Sequence, residues 1–444
     1  MSIPVILASS SPSRRALLLQ AGICPTIRVS RVDEDAVIRR FAANADMKVE
    51  DMPTEQRVMV LSRAKAHAVQ AAYREQENTI NRARRSTAIE ERVNPLIGRT
   101  TTELLGGPLG TIAANPGLAG LKKGPLLIGS DSMFEFDGVA YGKPHTAEKA
   151  FERIAQMRGK SGTLWTGHTL IDLASGRELS EISSARVHFA DYSDEEIRAY
   201  VETGEPLEVA GSFTLEGLGG AFIDSVSGDP HGIQGLSLPL VRQMATRLGF
   251  FWPDLWNLKR DKRGRLAING DSRAPLKHVS QPGDGFIDCA CGHKHWGLHG
   301  AAGVLLFRRD TFTGEITHVA LQRRAVWSIE GRTWGNPGGA LSTGESPFEG
   351  GLREAWEEAG IAPQDIDIVG AHTEDHGPWA YTTLLAFERV GHSVKPHVTD
   401  NESIDVVWKR VSDVESLPLL SYFKADWLDD LHRARQISRA MANN

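Results

Sequence analysis

The chain has 444 residues, of which 41% are hydrophobic and 24% charged, so it is long enough for two or three globular domains. Its formal net charge of −6 gives no reason to expect a protein that coats nucleic acid, because phosphate backbones require a basic surface. Three cysteines are too few for a disulfide scaffold, and no apolar run approaches the roughly 20 residues that cross a bilayer. The first residues carry their basic charges after the apolar stretch, the reverse of a signal peptide. We therefore expect a cytoplasmic protein whose partners include neither a membrane nor a nucleic acid polymer.

Alternating strands and helices predict one α/β domain over residues 1–250. The expected strands are short apolar runs at 3–8, 126–129, 164–172 and 186–190. The expected helices lie at 12–21, 54–73, 146–157 and 193–202. The last helix opens with Ser193, and Glu196 follows three residues later, which is the pattern of a capping box.

Two segments interrupt this order of elements. Residues 74–125 are rich in Arg, Glu, Thr and Gly and have weak periodicity, which predicts a partly mobile insertion that can still cover a site. Residues 251–285 mix aromatic, charged, Gly and Pro residues, which predicts a linker or docking segment before a second domain at 286–444. Aromatic residues near its start can pack between domains or between subunits of a homodimer: Phe250, Phe251, Trp252 and Trp256.

Several short motifs in the first domain suggest a phosphate site. Hydroxyl residues and two arginines, Arg14 and Arg15, lead into the first helix in LASSSPSRRALLLQAG, and helix N-terminal N–H groups with guanidinium groups bind phosphate. Taken alone, this pattern also fits an ordinary capped helix. It is followed in chain order by VDED, LSRAKAHAV, LLIGSDSMFEFDG, GKP, AGSFTLEGLGG and GLSLPL. In that order the motifs resemble the Maf family of nucleoside triphosphate pyrophosphatases, over essentially all of residues 1–250 apart from the insertion.

This resemblance implies an ITPase-like α/β fold and hydrolysis between the α- and β-phosphates, which releases a nucleoside monophosphate and pyrophosphate. It implies that Asp131 is the catalytic base. The positions that it assigns to substrate binding are Ser9, Ser13, Arg14, Glu34, Lys65, Ser132, Lys143 and Glu216. Such hydrolysis requires charge neutralisation, a metal ion and a positioned water more than covalent help.

The base specificity of this site is expected to depend on Glu216. Members of the Maf family that select pyrimidines carry Gln at this position, whereas the 7-methyl-GTP branch carries Glu. A carboxylate can accept hydrogen bonds from both donors of guanine, while the edge of uracil offers one donor between acceptors. Glu216 therefore favours a guanine-type substrate such as 7-methyl-GTP. Other positions depart from that branch, because Ser13 and Ser132 are small and Gly162 replaces the histidine of the family.

The second domain contains the segment GALSTGESPFEGGLREAWEEAGI at 339–361, which resembles the complete Nudix box. The specified positions are Gly339, Glu345, Arg353, Glu354, Ala355, Glu357, Glu358, Gly360 and Ile361. The preceding strand, arginine pair and Trp-x-x-Pro-Gly-Gly sequence also resemble that family. The resemblance implies an α/β/α sandwich with a mixed sheet and hydrolysis of a nucleoside diphosphate linked to another group X. The identity of X is left open, because recognition loops lie outside the box.

The spacing of the box predicts a capped helix with one acidic face. Ser346 is the expected N-cap, Pro347 the first helical residue and Glu349 the partner in a capping box. Glutamates at i, i+3 and i+4 share one face and would repel one another without a counterion, for which Mg²⁺ or Mn²⁺ is suited. The predicted ligands are Glu345, Glu354, Glu357 and Glu358. A solvated acidic face is the alternative.

Three further expectations concern this domain. The resemblance implies catalytic roles for Glu354 and Glu357, and for Glu402, where the family often places another acidic residue. The segment DHGPWAYTT at 375–383 either lines the pocket or forms a buried aromatic strand.

The sequence CACGHKHWGLH groups cysteines and histidines that could bind Zn²⁺: Cys289, Cys291, His293, His295 and His299. The Cys-x-Cys spacing is tight and no second cysteine pair follows, so a turn whose side chains pack or face solvent is the favoured interpretation.

The leading hypothesis is a bifunctional nucleotide hydrolase that uses Mg²⁺ or Mn²⁺ in both domains. The alternatives are a septum or cell-division regulator that acts by binding a partner, and a Nudix domain that senses a ligand. The intact glutamates and Asp131 favour the enzyme, because a binding role would not require them.

Overall fold

The computed structural model describes residues 2–93, 121–258, 279–289 and 291–442, with side chains in all of these ranges except 84–93. The chain divides into two compact units, each formed by two segments. Unit 1 comprises Met1–Ala71 and Lys122–Ala267, and unit 2 comprises Ala72–Leu121 and Ile268–Asn444. Among the described residues, no helix is both long and apolar enough to cross a membrane.

Unit 1 is built on a mixed sheet of seven strands. Its strands are β1 (Val5–Leu7), β2 (Thr26–Ile27), β3 (Leu126–Phe136), β4 (Val139–Tyr141), β5 (Ser161–Asp172), β6 (Glu178–Phe189) and β7 (Ile223–Gly228). The order is β2-β1-β3-β5-β6-β7, with β4 paired to β3. β1 pairs in parallel with β2 and β3, and the remaining pairs are antiparallel. The α/β class expected for this half of the chain is therefore confirmed.

In the described part of unit 1, seven α-helices accompany this sheet: α1 (Pro12–Gln20), α2 (Glu34–Asn44), the first part of α3 (Thr54–Val93), α4 (Ala147–Met157), α5 (Asp194–Glu202), α6 (Pro230–Ile233) and α7 (Leu238–Arg247). The capping box predicted at the start of α5 is confirmed, because Ser193 and Glu196 exchange both hydrogen bonds. The main core lies where α1 and α7 pack on the parallel part of the sheet, through residues such as Leu17, Leu18 and Met244. The N-terminal end of α1 brings polar side chains to the edge of the sheet.

Helix α3 approaches the sheet so closely that two strand positions have no room for a side chain. A Cβ on Gly129 would lie 2.4 Å from the carbonyl oxygen of Ser62, and one on Gly167 would lie 2.3 Å from that of Val58. Both carbonyl groups belong to α3, and the two glycines lie on the adjacent strands β3 and β5. This close contact fixes the height of α3 above the sheet and therefore the position of Lys65.

The structure differs from the sequence prediction around the two interruptions. Residues 74–93, expected to begin an insertion, continue α3 as a regular helix, while residues 94–120 lie outside the described residues. The start of the expected linker belongs to unit 1: Leu255 is fully buried, and the Asn257 side chain binds the backbone of Cys24 at 2.6 and 2.8 Å. Phe250 is buried in the same core, whereas Phe251 and Trp256 are exposed.

Unit 2 contains a second mixed sheet and a separate two-stranded hairpin. The hairpin strands are β8 (Phe286–Asp288) and β9 (Lys294–Trp296). The sheet strands are β10 (Ala301–Arg309), β11 (Ile316–Arg324), β12 (Trp334–Gly335), β13 (Gly338–Ala340), β14 (Ile366–Asp375), β15 (Ala380–Glu388) and β16 (Ser403–Arg410). The order is β12-β11-β10-β15-β14, with β13 on β10 and β16 on β11, and only β10 and β15 pair in parallel.

Helices cover both faces of this sheet. Alternate residues of one strand point to opposite faces, so Val304 and Leu306 pack with α8 (Pro347–Ala359), and Leu305 and Phe307 pack with α9 (Ser421–Ala442). The predicted α/β/α sandwich is confirmed. The predicted start of α8 is also confirmed, since Ser346 caps the helix, Pro347 is its first residue and Glu349 completes the capping box.

The second part of α3 belongs to unit 2 and packs beside α8. Ile80 and Ala83 are buried in the same cluster as the apolar face of α8. The Thr79 hydroxyl donates to the carbonyl oxygen of Pro363 at 2.7 Å, and Arg82 pairs with Asp367 at 3.1 Å. These contacts show that residues 79–83 form a regular part of the unit.

We expect Gly129→Ala to lower the free energy of unfolding of unit 1 by about 1–3 kcal/mol, because an added methyl group would collide with the backbone of α3. The matched control is Gly142→Ala, where a Cβ meets no atom within 4 Å. Chemical denaturation gives the loss, and amide hydrogen exchange of residues 54–71 locates it. Equal stability of the two variants would contradict the close contact.

Candidate active sites

A cavity of about 700 Å³ opens at the edge of the sheet in unit 1. All of the residues predicted for this site line it, although they come from elements far apart in the chain. They are Ser9, Ser13, Arg14, Glu34, Lys65, Asp131, Ser132, Lys143 and Glu216. The structure therefore brings the whole predicted set together.

The floor of the cavity is formed around the guanidinium group of Arg14, at the start of α1. Its Nη1 donates to the Ser9 hydroxyl at 3.0 Å and its Nη2 to the Ser132 hydroxyl at 3.1 Å. Its Nε donates to the carbonyl oxygen of Gly235 at 2.8 Å, and that oxygen also accepts from the Ser130 hydroxyl. Arg14 is thus a fixed cation beside a helix N-terminus, where an anionic group is favoured.

A second cation inside the cavity is the side chain of Lys65. The Lys65 ammonium on α3 contacts Asp131 at 2.5 Å and Glu34 at 2.7 Å. Asp131 lies within β3, which continues beyond the predicted strand to Phe136, and it is 6% exposed. Burial raises the pKa of Asp131, and the charges of Lys65 and Arg14 offset part of that rise. The arrangement places one buried carboxylate between two cations that can face phosphate oxygens.

The mouth of the cavity carries the remaining predicted residues. Lys143 lies 3.4 Å from Glu208, an additional acidic residue of the lining. Glu216 is exposed in a loop that the Glu205 carboxylate holds in place. Glu205 accepts hydrogen bonds from the backbone N–H groups of Leu218 and Gly219, each at 3.0 Å, and from the hydroxyls of Tyr200 and Thr214. The role of Glu205 was not predicted, since it depends on a loop that lies 9 to 14 residues later in the chain.

The departure at Gly162 has a packing reason. A Cβ at this position would lie 2.2 Å from the ring of Phe134. The Phe134 ring is fully buried and makes edge contacts with Phe189 and Phe213, at centroid distances of 5.8 and 5.2 Å. The aromatic cluster therefore occupies the space that a larger residue at 162 would need.

The site in unit 2 is organised by the guanidinium group of Arg353, which is 1% exposed. Its Nε and Nη2 contact both oxygens of Glu345 at 2.6 and 2.8 Å. Its Nη1 contacts Glu354 at 2.7 Å and Glu357 at 3.0 Å. One Glu345 oxygen also accepts from the backbone N–H of Ser342. Glu345, predicted as a metal ligand, thus has both oxygens engaged within the protein.

A cluster of three carboxylates lies at the end of α8. Single oxygen atoms of Glu358, Asp400 and Glu402 all lie within 4.8 Å of one another. Backbone hydrogen bonds from His397 and Thr399 to the last turn of α8 bring this loop to Glu358. Asp400 was missed by sequence analysis, although it stands only two residues before Glu402.

These carboxyl groups are held in an environment that disfavours their charged forms. Burial, followed by repulsion from Glu402 and Asp400, raises the pKa of Glu358 well above its usual range. Burial likewise raises the pKa of Glu354 to about 8 and that of Asp400 to about 6. Clustered oxygen ligands with this mutual repulsion fit a hard divalent cation, which would neutralise them.

Two further predictions concern the segment 375–383 and the group of cysteines and histidines, and both involve residues next to β15. Trp379 and Tyr381 are 9% and 8% exposed, so 375–383 contains a buried aromatic strand. Among the cysteines and histidines, the structure groups Cys289, Cys291 and His295 with His376. His376 comes from the turn after β14 and replaces the predicted His293.

Comparison with known proteins assigns a family to each half of the chain. Residues 4–248 match the family described as Maf-like protein, and residues 297–431 match the NUDIX domain. A nucleoside triphosphate pyrophosphatase/Nudix hydrolase fusion protein of Bifidobacterium longum is 48% identical over 98% of this chain and 100% of its own length. A nucleoside triphosphate pyrophosphatase of Corynebacterium glutamicum is 38% identical over 57% of this chain and 99% of its own. A Nudix hydrolase structure from M. smegmatis is 32% identical and covers 34% of this chain and 94% of its own, with a TM-score of 0.30.

We expect Arg353→Met to destabilise unit 2 by about 3–5 kcal/mol, because it leaves buried carboxylates without their cation. Arg410→Met, at an exposed position, is the matched control. Urea denaturation measures the loss, and amide hydrogen exchange of Pro347–Ala359 assigns it to α8. Adding Glu345→Gln should restore part of the stability, and a midpoint equal to that of the control would refute this role of Arg353.

Proposed function

The chain belongs to the family of nucleoside triphosphate pyrophosphatase/Nudix hydrolase fusion proteins, and we propose that it hydrolyses two classes of nucleotide at separate sites. Unit 1 would convert a nucleoside triphosphate to the monophosphate and pyrophosphate. Unit 2 would cleave a nucleoside diphosphate linked to a group X. The observation that carries this proposal is the convergence of Arg14, Lys65 and Asp131 in one cavity.

The proposed roles in unit 1 follow from charge and burial. Arg14, fixed by three hydrogen bonds, would bind phosphate oxygens, with Lys143 at the mouth adding a second cation. Asp131 would accept a proton from the attacking water, and Lys65 beside it would hold the carboxylate in position. Ser9 and Ser132 orient the Arg14 guanidinium. Ser13 and Glu34 complete the wall at the start of α1 and α2.

In unit 2 we propose that Glu354, Glu357, Glu358, Asp400 and Glu402 provide the ligands for Mg²⁺ or Mn²⁺. When bound, such an ion neutralises phosphate oxygens and lowers the pKa of a ligand water. The support is the set of crowded carboxylates at the end of α8. We assign Glu345 to positioning, because it holds Arg353, which in turn orients Glu354 and Glu357. Whichever of Glu402 and Glu357 does not hold the ion would accept the proton of the attacking water.

A guanine-type base is our proposal for unit 1, with 7-methyl-GTP as one candidate. Glu216 lines the mouth of the cavity and is exposed, so its carboxylate can accept hydrogen bonds from a base placed there. A cationic methylated purine would gain a further charge interaction. The nucleotide substrates and the three free cysteines fit the reducing cytoplasm.

Product analysis by mass spectrometry tests the two-site function. The full-length protein with Mg²⁺ is incubated with canonical and modified nucleotides, beside Asp131→Asn and Glu357→Gln. We expect each variant to lose at least about 100-fold in rate on a different subset of substrates, because each removes a group from one site. Each variant serves as the folding control for the other site. If neither changes any activity above background, the hydrolase function of these sites is refuted.

Base selection is tested by Glu216→Gln. We expect kcat/KM for GTP or 7-methyl-GTP to fall about tenfold relative to UTP, which corresponds to the loss of a hydrogen bond to a charged acceptor. Glu202→Gln, an exposed carboxylate on α5, is the control. Steady-state kinetics on both bases measures the ratio, and an unchanged ratio would show that Glu216 does not read the base.

A further inference from the structure

Four side chains with sulfur and imidazole donors converge beside the main sheet of unit 2. Cys289 follows β8, Cys291 lies in the turn of the hairpin, and His295 lies in β9. His376 comes from the turn between β14 and β15, more than 80 residues later in the chain. One ligand atom from each of the four lies within 4.8 Å of all the others. The four donors thus converge from two separate segments of the chain.

The distances are close to those that one tetrahedral ion requires. Zn–S bonds of about 2.3 Å and Zn–N bonds of about 2.0–2.1 Å place the four donor atoms roughly 3.3–3.8 Å apart. The Sγ of Cys291 already lies 3.0 Å from the Nε2 of His295, and the rings of His295 and His376 have centroids 4.8 Å apart. Side-chain rotations that move the donor atoms by up to about one ångström would therefore complete the tetrahedron.

The donor types select the ion. Two thiolates and two imidazoles are the ligand set of structural zinc sites, whereas Mg²⁺ and Mn²⁺ prefer oxygen. The carboxylate cluster of Glu358, Asp400 and Glu402 consists only of oxygen donors. The two clusters in unit 2 therefore suit different metals.

Outer contacts orient one of the imidazole rings. The ring of His295 stacks on Trp379 at a centroid distance of 4.2 Å with 10° between the planes. The indole N–H of Trp379 donates to the carbonyl oxygen of Trp296 at 2.9 Å. The stacking holds the His295 ring in one plane, so less side-chain freedom is lost when an ion binds.

We propose that Cys289, Cys291, His295 and His376 bind one Zn²⁺ in a closed, structural site. Four protein ligands leave no position for substrate or water, so the ion acts as a cross-link. β8 and β9 pair with each other as a sheet of two strands, and such a hairpin has little stability by itself. The ion would fasten this hairpin to the β14–β15 turn. This proposal does not depend on either hydrolytic activity.

Metal analysis of the full-length protein, purified in reducing buffer without chelator, tests the site. We expect about one zinc per chain for the native sequence, and less than about a tenth of that for Cys291→Ser and His376→Ala. His293→Ala is the matched control, because this histidine belongs to the same hairpin and lies outside the four-ligand group that includes His295; it should retain one zinc. Glu402→Gln should also retain zinc, which separates this site from the carboxylate cluster.

Two further measurements distinguish lost ligation from misfolding. His376→Cys supplies a different zinc ligand at the same position and should recover most of the bound metal. Co²⁺ in place of zinc should give thiolate-to-cobalt charge-transfer absorption and tetrahedral d–d bands, and both should disappear in Cys291→Ser. Removing the ion with a chelator should increase amide hydrogen exchange in residues 286–296 and leave unit 1 unchanged.

The proposal is overturned if the native protein binds no zinc after growth and reconstitution with the metal. A disulfide between Cys289 and Cys291 in the reduced preparation would have the same consequence. Equal loss of zinc in His293→Ala and His376→Ala would also overturn it, because the ligand set would then be different. Failure of these tests leaves the two-site hydrolase function unaffected, since that function is tested at Asp131 and Glu357.

Discussion

A buried guanidinium group lies within each of the two candidate sites, and in unit 2 it fixes the positions of three carboxylates. In unit 2 Arg353 is 1% exposed and contacts Glu345, Glu354 and Glu357. A charge this deeply buried is tolerated only when opposite charges and acceptors surround it. The glutamates neutralise the buried charge of Arg353, and the same contacts fix each glutamate in one orientation. Arg14 has the corresponding place in unit 1, where hydroxyl and carbonyl oxygens satisfy its donors.

The two sites differ in their balance of charge. In unit 1 the carboxylates Asp131 and Glu34 share the cation Lys65, with Arg14 nearby, so the acidic groups already have counterions. In unit 2 the described carboxylates Glu358, Asp400 and Glu402 crowd together, and burial with mutual repulsion raises the pKa of Glu358. This crowding of carboxylates is the basis for our proposal of a divalent ion in unit 2. The difference follows from which charged side chains the fold brings together at each site.

Local patterns in the sequence were sufficient to predict where helices α5 and α8 begin. The capping boxes at Ser193 and Ser346 involve residues three positions apart, so they form wherever the chain turns into a helix. The acidic face of α8 follows from the same periodicity. Helix α3 shows the limit of this reasoning: residues 74–93 have weak amphipathic periodicity, yet they form a regular helix. Within that segment, the side chains of Ile80 and Ala83 pack beside α8. Tertiary packing thus stabilised a helix that local propensity did not predict.

The sequence by itself determined the two α/β domains, the hydrolase class and nine of the polar residues that line the unit 1 cavity, because these depend on ordered motifs and short-range spacing. Only the tertiary structure decided which distant side chains meet. Asp400 joins Glu358 because a loop binds to the end of α8, and His376 joins Cys289 because a turn returns beside the hairpin. Glu205 supports the loop of Glu216 for the same kind of reason. Each contact requires the chain to close a long loop, and the free energy for that closure comes from packing across the whole unit rather than from the residues that meet.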